Sequence, residues 1–289
     1  MGVILLKYKI IAVDMDGTLL NDNKNITDNN LEMINKAVNK GVKFVISSGR
    51  IPLGLKRYAN TVSEQQPMIC CNGAIILDEN KEMIYSKTID KKSVLKVIDA
   101  IREKEDTYFH FYNENVIYSE QFRFTTKSLY NFNREVDRKL RFEIRLVPDA
   151  KKVIEKAGFD INKIVIIDDN IEYLEELRKR IDKIAGVETT KSEINNIEIL
   201  SKGVSKGSAL KILANDYDIP IEECIAIGND ENDISMINCA GLGVAVNNAR
   251  DSIKRYANYI TEKDNNNDAI AEVIQKFILN NSKENSKYR

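Results

Sequence analysis

Blocks of apolar and polar residues alternate along the first ninety residues, in a pattern typical of strands that alternate with helices. Continuous apolar runs predict strands at residues 8–13, 42–47 and 68–71. Thr27 predicts the N-cap of a helix that Gly41 ends, and Pro52 predicts the first turn of a second helix. This order of strands and helices favours a parallel sheet with helices on both faces.

The same alternation returns near the C-terminus, whereas the middle of the chain has a different pattern. After Lys206, we predict helices at 208–215, 231–238 and 269–279 and strands at 224–227 and 242–246. In the middle, helices at 93–104, 150–156 and 172–184 alternate with strands at 107–112, 116–119 and 164–167. The prediction is therefore an α/β protein. Residues 1–86 and 192–289 form a doubly wound parallel sheet, and an α+β domain, residues 87–191, is inserted between them.

Composition narrows the class of protein. The 43 Lys and Arg residues nearly balance 44 Asp and Glu residues, which argues against a binder of nucleic acid or of a membrane surface. Four Cys without metal-ligand spacing, and no apolar run near the roughly 20 residues of a membrane span, predict a cytoplasmic protein. We interpret His110, the only histidine, as a half-buried strand residue, so acid–base chemistry would use carboxylates, Lys, Tyr or Cys.

Two carboxylates follow the first predicted strand. Asp14 and Asp16 stand at alternate positions before Gly17 and Thr18, at the end of a strand where open α/β sheets place their ligands. Carboxylates this close repel each other, so they favour a hard cation such as Mg²⁺, held together with substrate phosphate oxygens. A solvated Asp-Gly turn would explain a bare Asp-x-Asp, but the buried strand ahead of it favours a functional site.

Three further elements have chemistry that suits a phosphate. Ser48 and Gly49 follow the second strand, where a hydroxyl and backbone N–H groups can hold phosphate oxygens. Lys206 opens a helix, and residues 228–236, with the sequence GNDENDISM, follow another buried strand. Turn formation, a solvated lysine and helix capping would each explain one of these elements alone.

In this order, the elements resemble the motifs of the haloacid dehalogenase-like (HAD) phosphatases, specifically the Cof-type subgroup with its large inserted cap domain. The matching segments are DMDGT at 14–18 (the first motif), SSGR at 47–50 (the second), CNGA at 71–74, SKG at 205–207 (the third motif) and GNDENDISM at 228–236 (the fourth motif). The resemblance extends over most of the chain, and the five segments together are far more specific than any one of them.

The resemblance implies roles for these residues. Asp14 would be the nucleophile that forms an aspartyl-phosphate, and Asp16 would be the general acid and then the base. Lys206 would also be catalytic. The residues implied to bind the substrate's phosphoryl group are Met15, Ser48, Gly49, Lys206 and Asn232. Mg²⁺, the implied cofactor, would bind Asp14, the backbone carbonyl of Asp16 and a residue of the fourth motif.

The fourth motif departs from the family pattern. Where the family has Gly-Asp, this chain has Gly228 followed by Asn229 and then Asp230. Aligned without a gap, Asn229 takes the metal-ligand position, and its uncharged amide oxygen predicts a lower Mg²⁺ affinity. Asp230 could take this place by a local shift, and Asp233 is expected to act through a water molecule.

Residues 121–145 combine seven basic side chains with five aromatic ones. They could bind nucleic acid by charge and stacking, form an amphipathic helix and strand with solvated charges, or help to hold an anionic substrate. We favour the second interpretation.

From its motifs, the chain is predicted to be a Mg²⁺-dependent phosphatase of a small phosphorylated metabolite, a sugar phosphate or a phosphorylated cofactor precursor. The alternatives are a phosphomutase, or a catalytically weakened RNA- or phosphate-binding protein. The sequence assigns neither the substrate nor the oligomeric state.

Overall fold

A computed structural model describes residues 6–62, 65–114, 116–156 and 160–280. Two sheets organise these residues, one with eight strands and one with six. The strands are β1 Ile10–Val13, β2 Lys43–Ser47, β3 Met68–Cys70, β4 Ile75–Leu77, β5 Met83–Ser86, β6 Tyr108–Asn113, β7 Val116–Ser119, β8 Glu143–Leu146, β9 Lys163–Ile167, β10 Val187–Thr190, β11 Asn196–Ser201, β12 Cys224–Gly228, β13 Leu242–Ala245 and β14 Tyr259–Ile260.

Ten α-helices connect these strands within the described ranges. They are α1 Asp28–Asn39, α2 Pro52–Val62, α3 Lys91–Ile101, α4 Phe124–Glu135, α5 Ala150–Lys156, α6 Ile171–Ile181, α7 Lys206–Asp216, α8 Ile234–Cys239, α9 Asp251–Lys254 and α10 Ala269–Ile274. The Thr27 side chain caps α1 as predicted, by accepting a hydrogen bond from the N–H of Asn30. No helix in the described parts of the chain is long and apolar enough to cross a membrane.

The larger sheet has the order β14-β13-β12-β1-β2-β3-β4-β5. Its strands from β14 to β3 are parallel, and β4 and β5 add an antiparallel edge. Along β1, Ile11 and Val13 pack in the core that contains α1 and α10, whereas Ile10 and Ala12 pack in the core that contains α7. Helices therefore cover both faces, which confirms the doubly wound α/β fold.

The smaller sheet has the order β10-β11-β9-β6-β7-β8 and its own apolar core with α3, α5 and α6. Every pair in it is antiparallel except β7 with β8. Strand β11 pairs with β9 in this sheet although it lies after residue 191, where we had expected the larger sheet to resume. The domain boundaries at 86/87 and 191/192 stay a prediction.

Candidate active site

The carboxyl ends of the central parallel strands bring the first, second and fourth motifs together. Strand β1 pairs with β2 on one side and with β12 on the other, so the residues that follow these strands are neighbours. A cavity of about 600 Å³ opens here between the two sheets. Predicted site residues on its wall are Asp14, Asp16, Ser48, Gly49, Asn229, Asp230 and Asn232.

Lys206 joins two buried carboxylates. Its Nζ donates to Asp14 Oδ1 and to Asp233 Oδ1, each at 2.6 Å, and the Lys206 and Asp233 side chains are completely buried. Burial and the charge of Asp233 raise the pKa of Asp14 to about 7, although Lys206 opposes that rise. Burial acts to lower the pKa of Lys206, but the two carboxylates outweigh it and raise the pKa above its ordinary value. The single positive charge of Lys206 thus compensates the negative charges of both Asp14 and Asp233.

Local structure explains why Lys206 reaches this point. The Ser205 side chain caps α7 by accepting a hydrogen bond from the N–H of Ser208, so Lys206 opens the helix as predicted, two residues before the predicted range 208–215. Gly207 permits the close approach of α7 to α8, because a Cβ atom there would lie 2.2 Å from the Ser235 carbonyl oxygen. The third motif therefore positions its lysine through a cap and a close helix contact.

Asp16 lies nearer to solvent than Asp14 and is held by two cations. Arg50 donates to both carboxylate oxygens of Asp16, at 2.8 and 3.0 Å, and Lys24 Nζ lies 2.9 Å from Asp16 Oδ1. Burial acts to raise the pKa of Asp16, but Arg50 and then Lys24 lower it below its ordinary value. These ion pairs therefore keep Asp16 unprotonated, and it can donate a proton only after it separates from Arg50 and takes one up.

Asn229 approaches the two N-terminal aspartates. Its Oδ1 lies 3.1 Å from Asp14 Oδ2 and 3.2 Å from the Asp16 carbonyl oxygen, and it accepts a hydrogen bond of 2.9 Å from Thr18 Oγ1. Neighbouring ligands of an octahedral Mg²⁺ ion are about 2.9 Å apart, because each bond is about 2.0–2.1 Å long. These two distances suit a Mg²⁺ ion when the amide oxygen of Asn229 faces Asp14 and Asp16. In the opposite orientation, which satisfies the hydrogen bonds of both amide atoms, the nitrogen donates to Asp14 and Asp16 instead.

The other two acidic residues of the fourth motif are already engaged. Asp233 Oδ2 accepts hydrogen bonds from the N–H groups of Asn229 and Asp230, so this side chain shapes the loop. Asp230 Oδ1 accepts from the N–H of Glu231, and Asp230 Oδ2 pairs with Arg250 at 3.0 Å. Within the described ranges, no three His, Cys, Asp or Glu side chains are arranged to hold a metal. A cation here would depend on one carboxylate, a backbone carbonyl and an amide.

The residues predicted to hold a phosphoryl group are placed in different ways. Ser48, Gly49 and Asn232 line the cavity, and Asn232 Nδ2 donates to Asn72 Oδ1 at 3.2 Å. Lys206 does not line this cavity and reaches the site through Asp14. The Met15 side chain is fully buried in the core, so only its backbone could contact a phosphate.

The smaller sheet contributes a buried ion pair that the motifs do not include. Lys163 Nζ, on β9, lies 3.0 Å from Glu198 Oε1, on β11, and donates to the Gly49 carbonyl at 2.6 Å. Glu198 Oε2 accepts a hydrogen bond from Asn72 Nδ2. The pair therefore fixes the loops after β2 and β3. A glutamate between two isoleucines in a buried strand was the available sequence signal, because a buried charge needs a partner.

His110 is fully buried, where we had expected a half-buried residue. Its Nε2 lies 2.7 Å from Tyr112 Oη, and its Nδ1 has no hydrogen-bond partner among the residues that the structure describes. Burial, with the charge of Lys163, lowers the pKa of His110 to about 3, so the ring is neutral near pH 7. His110 also lines the cavity, where a neutral imidazole can offer a hydrogen bond to a bound molecule.

Residues 121–145 contribute apolar and hydroxyl side chains to the wall of the active-site cavity. Phe124, Thr125, Ser128 and Leu129 line the cavity that contains Asp14. Among the described residues, none of the seven basic side chains of this segment lines that cavity. The segment forms α4 and β8 with its charges turned away, as our favoured interpretation proposed.

Comparison with known proteins agrees with this geometry. The profile of haloacid dehalogenase-like hydrolases matches residues 11–274. The chain is 34% identical to the 5-amino-6-(5-phospho-D-ribitylamino)uracil phosphatase of Bacillus subtilis, over 94% of this chain and 96% of that protein. It is 25% identical to the pyridoxal phosphate phosphatase of Escherichia coli, over 94% and 99% of the two chains.

A solved structure has the same architecture. It is a haloacid dehalogenase-like hydrolase from Bacillus subtilis, with a TM-score of 0.83 and 28% identity, and the match covers 93% of this chain and all of the other. The family resemblance, the fold class and the enzyme class predicted from the sequence are confirmed. The chain belongs to the haloacid dehalogenase-like hydrolases.

Proposed function

We propose that the protein is a Mg²⁺-dependent phosphatase of small phosphomonoesters that forms an aspartyl-phosphate on Asp14 and acts in the cytoplasm. One observation carries this proposal. Asp14 has one carboxylate oxygen on Lys206 and the other 3.1 Å from the side-chain amide of Asn229, at the wall of a cavity large enough for a small molecule. Two relatives named for a phosphorylated ribitylaminouracil and for pyridoxal phosphate support a substrate of similar size.

The first half of the reaction transfers the phosphoryl group to Asp14. A carboxylate oxygen of Asp14 attacks phosphorus, and the bond from phosphorus to the leaving oxygen breaks as Asp16 gives that oxygen a proton. Ser48, Gly49 and Asn232 line the space for the phosphoryl oxygens. Asp16 must take up a proton and part from Arg50 before this step, because their ion pair lowers the pKa of Asp16.

The second half releases phosphate. Asp16 accepts a proton from a water molecule, the water oxygen attacks phosphorus, and the bond to Asp14 breaks. The ion pairs with Arg50 and Lys24 favour the unprotonated form of Asp16 that this step needs. When bound at Asp14, Asn229 and the Asp16 carbonyl, Mg²⁺ would neutralise charge on the transferring group.

Phosphate release from a panel of sugar phosphates and phosphorylated cofactor precursors tests this function. We expect the free alcohol and inorganic phosphate in equal amounts with Mg²⁺, and loss of release with EDTA. A hexose phosphate that is isomerised without release of phosphate would identify a phosphomutase and contradict the proposal.

Substitution of Asn229 by aspartate tests the metal site. Because Asn229→Asp adds a charged ligand next to Asp14, we expect half-maximal activity at a Mg²⁺ concentration roughly tenfold lower than in the wild type. Asp230→Asn is the matched control, since the contacts of Asp230 with Glu231 and Arg250 direct it elsewhere. Mg²⁺ titrations of both variants decide the ligand. If the Mg²⁺ concentration for half-maximal activity changed in Asp230→Asn and not in Asn229→Asp, Asp230 would be the metal ligand.

A further inference from the structure

A second cavity, of about 500 Å³, lies beside the active site between α2 and α4. Apolar side chains form most of its wall: Ile51, Leu53, Tyr58, Leu129, Phe132 and Phe142. Leu53, Leu129, Phe132 and Phe142 are only half-buried, although they face one another across this space. We call it the α2–α4 cavity. Its volume is within the range of about 300–1,000 Å³ that small-molecule sites occupy.

The α2–α4 cavity is continuous with the active-site cavity. The two share Tyr112, Thr125, Ser128 and Leu129, and they also share Lys24 and Arg50. Lys24 and Arg50 are the two cations that hold the Asp16 carboxylate. A leaving group that takes its proton from Asp16 therefore has the α2–α4 cavity directly beyond its oxygen.

The charge of this wall indicates what the leaving group contains. Lys24 and Arg50 are the basic residues on the described wall, and both are already paired with Asp16. The seven basic side chains of residues 121–145 are absent from the described wall, so Lys24 and Arg50, at the end next to Asp16, are the charged groups on it and the rest of the wall is uncharged. An apolar wall favours an uncharged group, because burial of its apolar surface is favourable.

Aromatic side chains favour a planar group. The Phe132 and Phe142 ring centroids are 5.6 Å apart with the rings tilted by 55°, and the Arg50 guanidinium carbon lies 5.6 Å from the centroid of Tyr58. Gly54 lies next to Phe142, since a Cβ atom at Gly54 would be in van der Waals contact with that ring at 3.5 Å. Rings at such positions can contact a further ring by stacking or by an edge.

We propose that the α2–α4 cavity binds an uncharged aromatic or heteroaromatic ring of the leaving group. The inference rests on the proposed phosphatase function and selects a substrate class within it. The substrates are phosphomonoesters in which a short linker joins the phosphate to a ring, and plain sugar phosphates are poorer substrates.

Two matched substrates test the proposal. 4-Phenylbutyl phosphate and butyl phosphate have the same leaving oxygen and differ by the ring. We expect kcat/KM of the wild-type enzyme to be at least about tenfold higher for the phenyl compound. The ratio should fall toward one in Phe132→Ala and in Leu53→Trp, which respectively remove apolar contact and fill the cavity.

Tyr130→Ala is the control, because Tyr130 is on the same helix but is exposed and does not line the cavity. It should keep the wild-type ratio, and thermal melting verifies that each variant is folded. A ratio near one in the wild type, or an unchanged ratio in both cavity variants, would overturn the proposal and leave the phosphatase function standing. Hydrolysis of neither substrate, nor of any other phosphomonoester, would instead overturn the proposed function itself.

Discussion

Asp14→Asn is expected to lower kcat for phosphate release by a factor on the order of 10⁴ or more and to leave the protein folded. The amide has nearly the size of the carboxylate but cannot attack phosphorus, and loss of a covalent nucleophile has effects of this order or larger. Steady-state phosphate release measures the change. Because burial raises the pKa of Asp14, the neutral amide should not destabilise the metal-free protein near pH 8.

The matched control is Asp251→Asn, since the Asp251 side chain is 92% exposed and does not line the cavity. We expect wild-type activity from it. Retention of even a few per cent of the wild-type kcat by Asp14→Asn would mean that another group attacks phosphorus.

Lys206→Met is expected to lower both activity and stability. It leaves Asp14 and Asp233 buried next to each other without their shared cation. An uncompensated buried charge lowers the free energy of unfolding by about 3–5 kcal/mol, and loss of the cation that holds the attacking carboxylate of Asp14 is expected to lower kcat by about 10³-fold. Urea unfolding and phosphate release measure the two effects.

The stability loss should depend on pH. Without Lys206, the pKa of Asp14 rises further, so the folded protein takes up a proton that the unfolded chain does not bind at the same pH. The deficit relative to wild type should therefore be smaller near pH 5 than near pH 8. The double variant Lys206→Met/Asp233→Asn should recover part of the stability but none of the activity. An equal deficit at both pH values would contradict this explanation.

Sequence patterns predicted the larger sheet well because its strands are short, continuous apolar runs that end in motif residues. They missed the edge strands β4, β5 and β14, which have three, four and two residues, and the pairing of β4 and β5 depends on the turn after β3. In that turn Cys71 and Asn72 have positive φ angles of 51° and 55°, so the third strand ends at Cys70 and not at residue 71. Such turns depend on tertiary contacts that periodicity does not report.

Of the residues at the site, only those in the motifs could be predicted from the sequence. Asp14, Asp16 and Asn229 meet because their strands are neighbours, a consequence of the βα alternation. Arg50 belongs to a motif, but its ion pair with Asp16 depends on side-chain geometry. Lys163 and Glu198 are more than one hundred residues from Gly49, and only the packing of the two sheets brings them together.

Rapid acid quenching during turnover, followed by mass spectrometry of the peptides, tests the central claim that the phosphoryl group passes through Asp14. With a good substrate and Mg²⁺, we expect a phosphoryl adduct on the peptide that contains Asp14, formed before phosphate release and absent from Asp14→Asn. Release of phosphate with no adduct on that peptide, or with the adduct on another residue, would contradict the account.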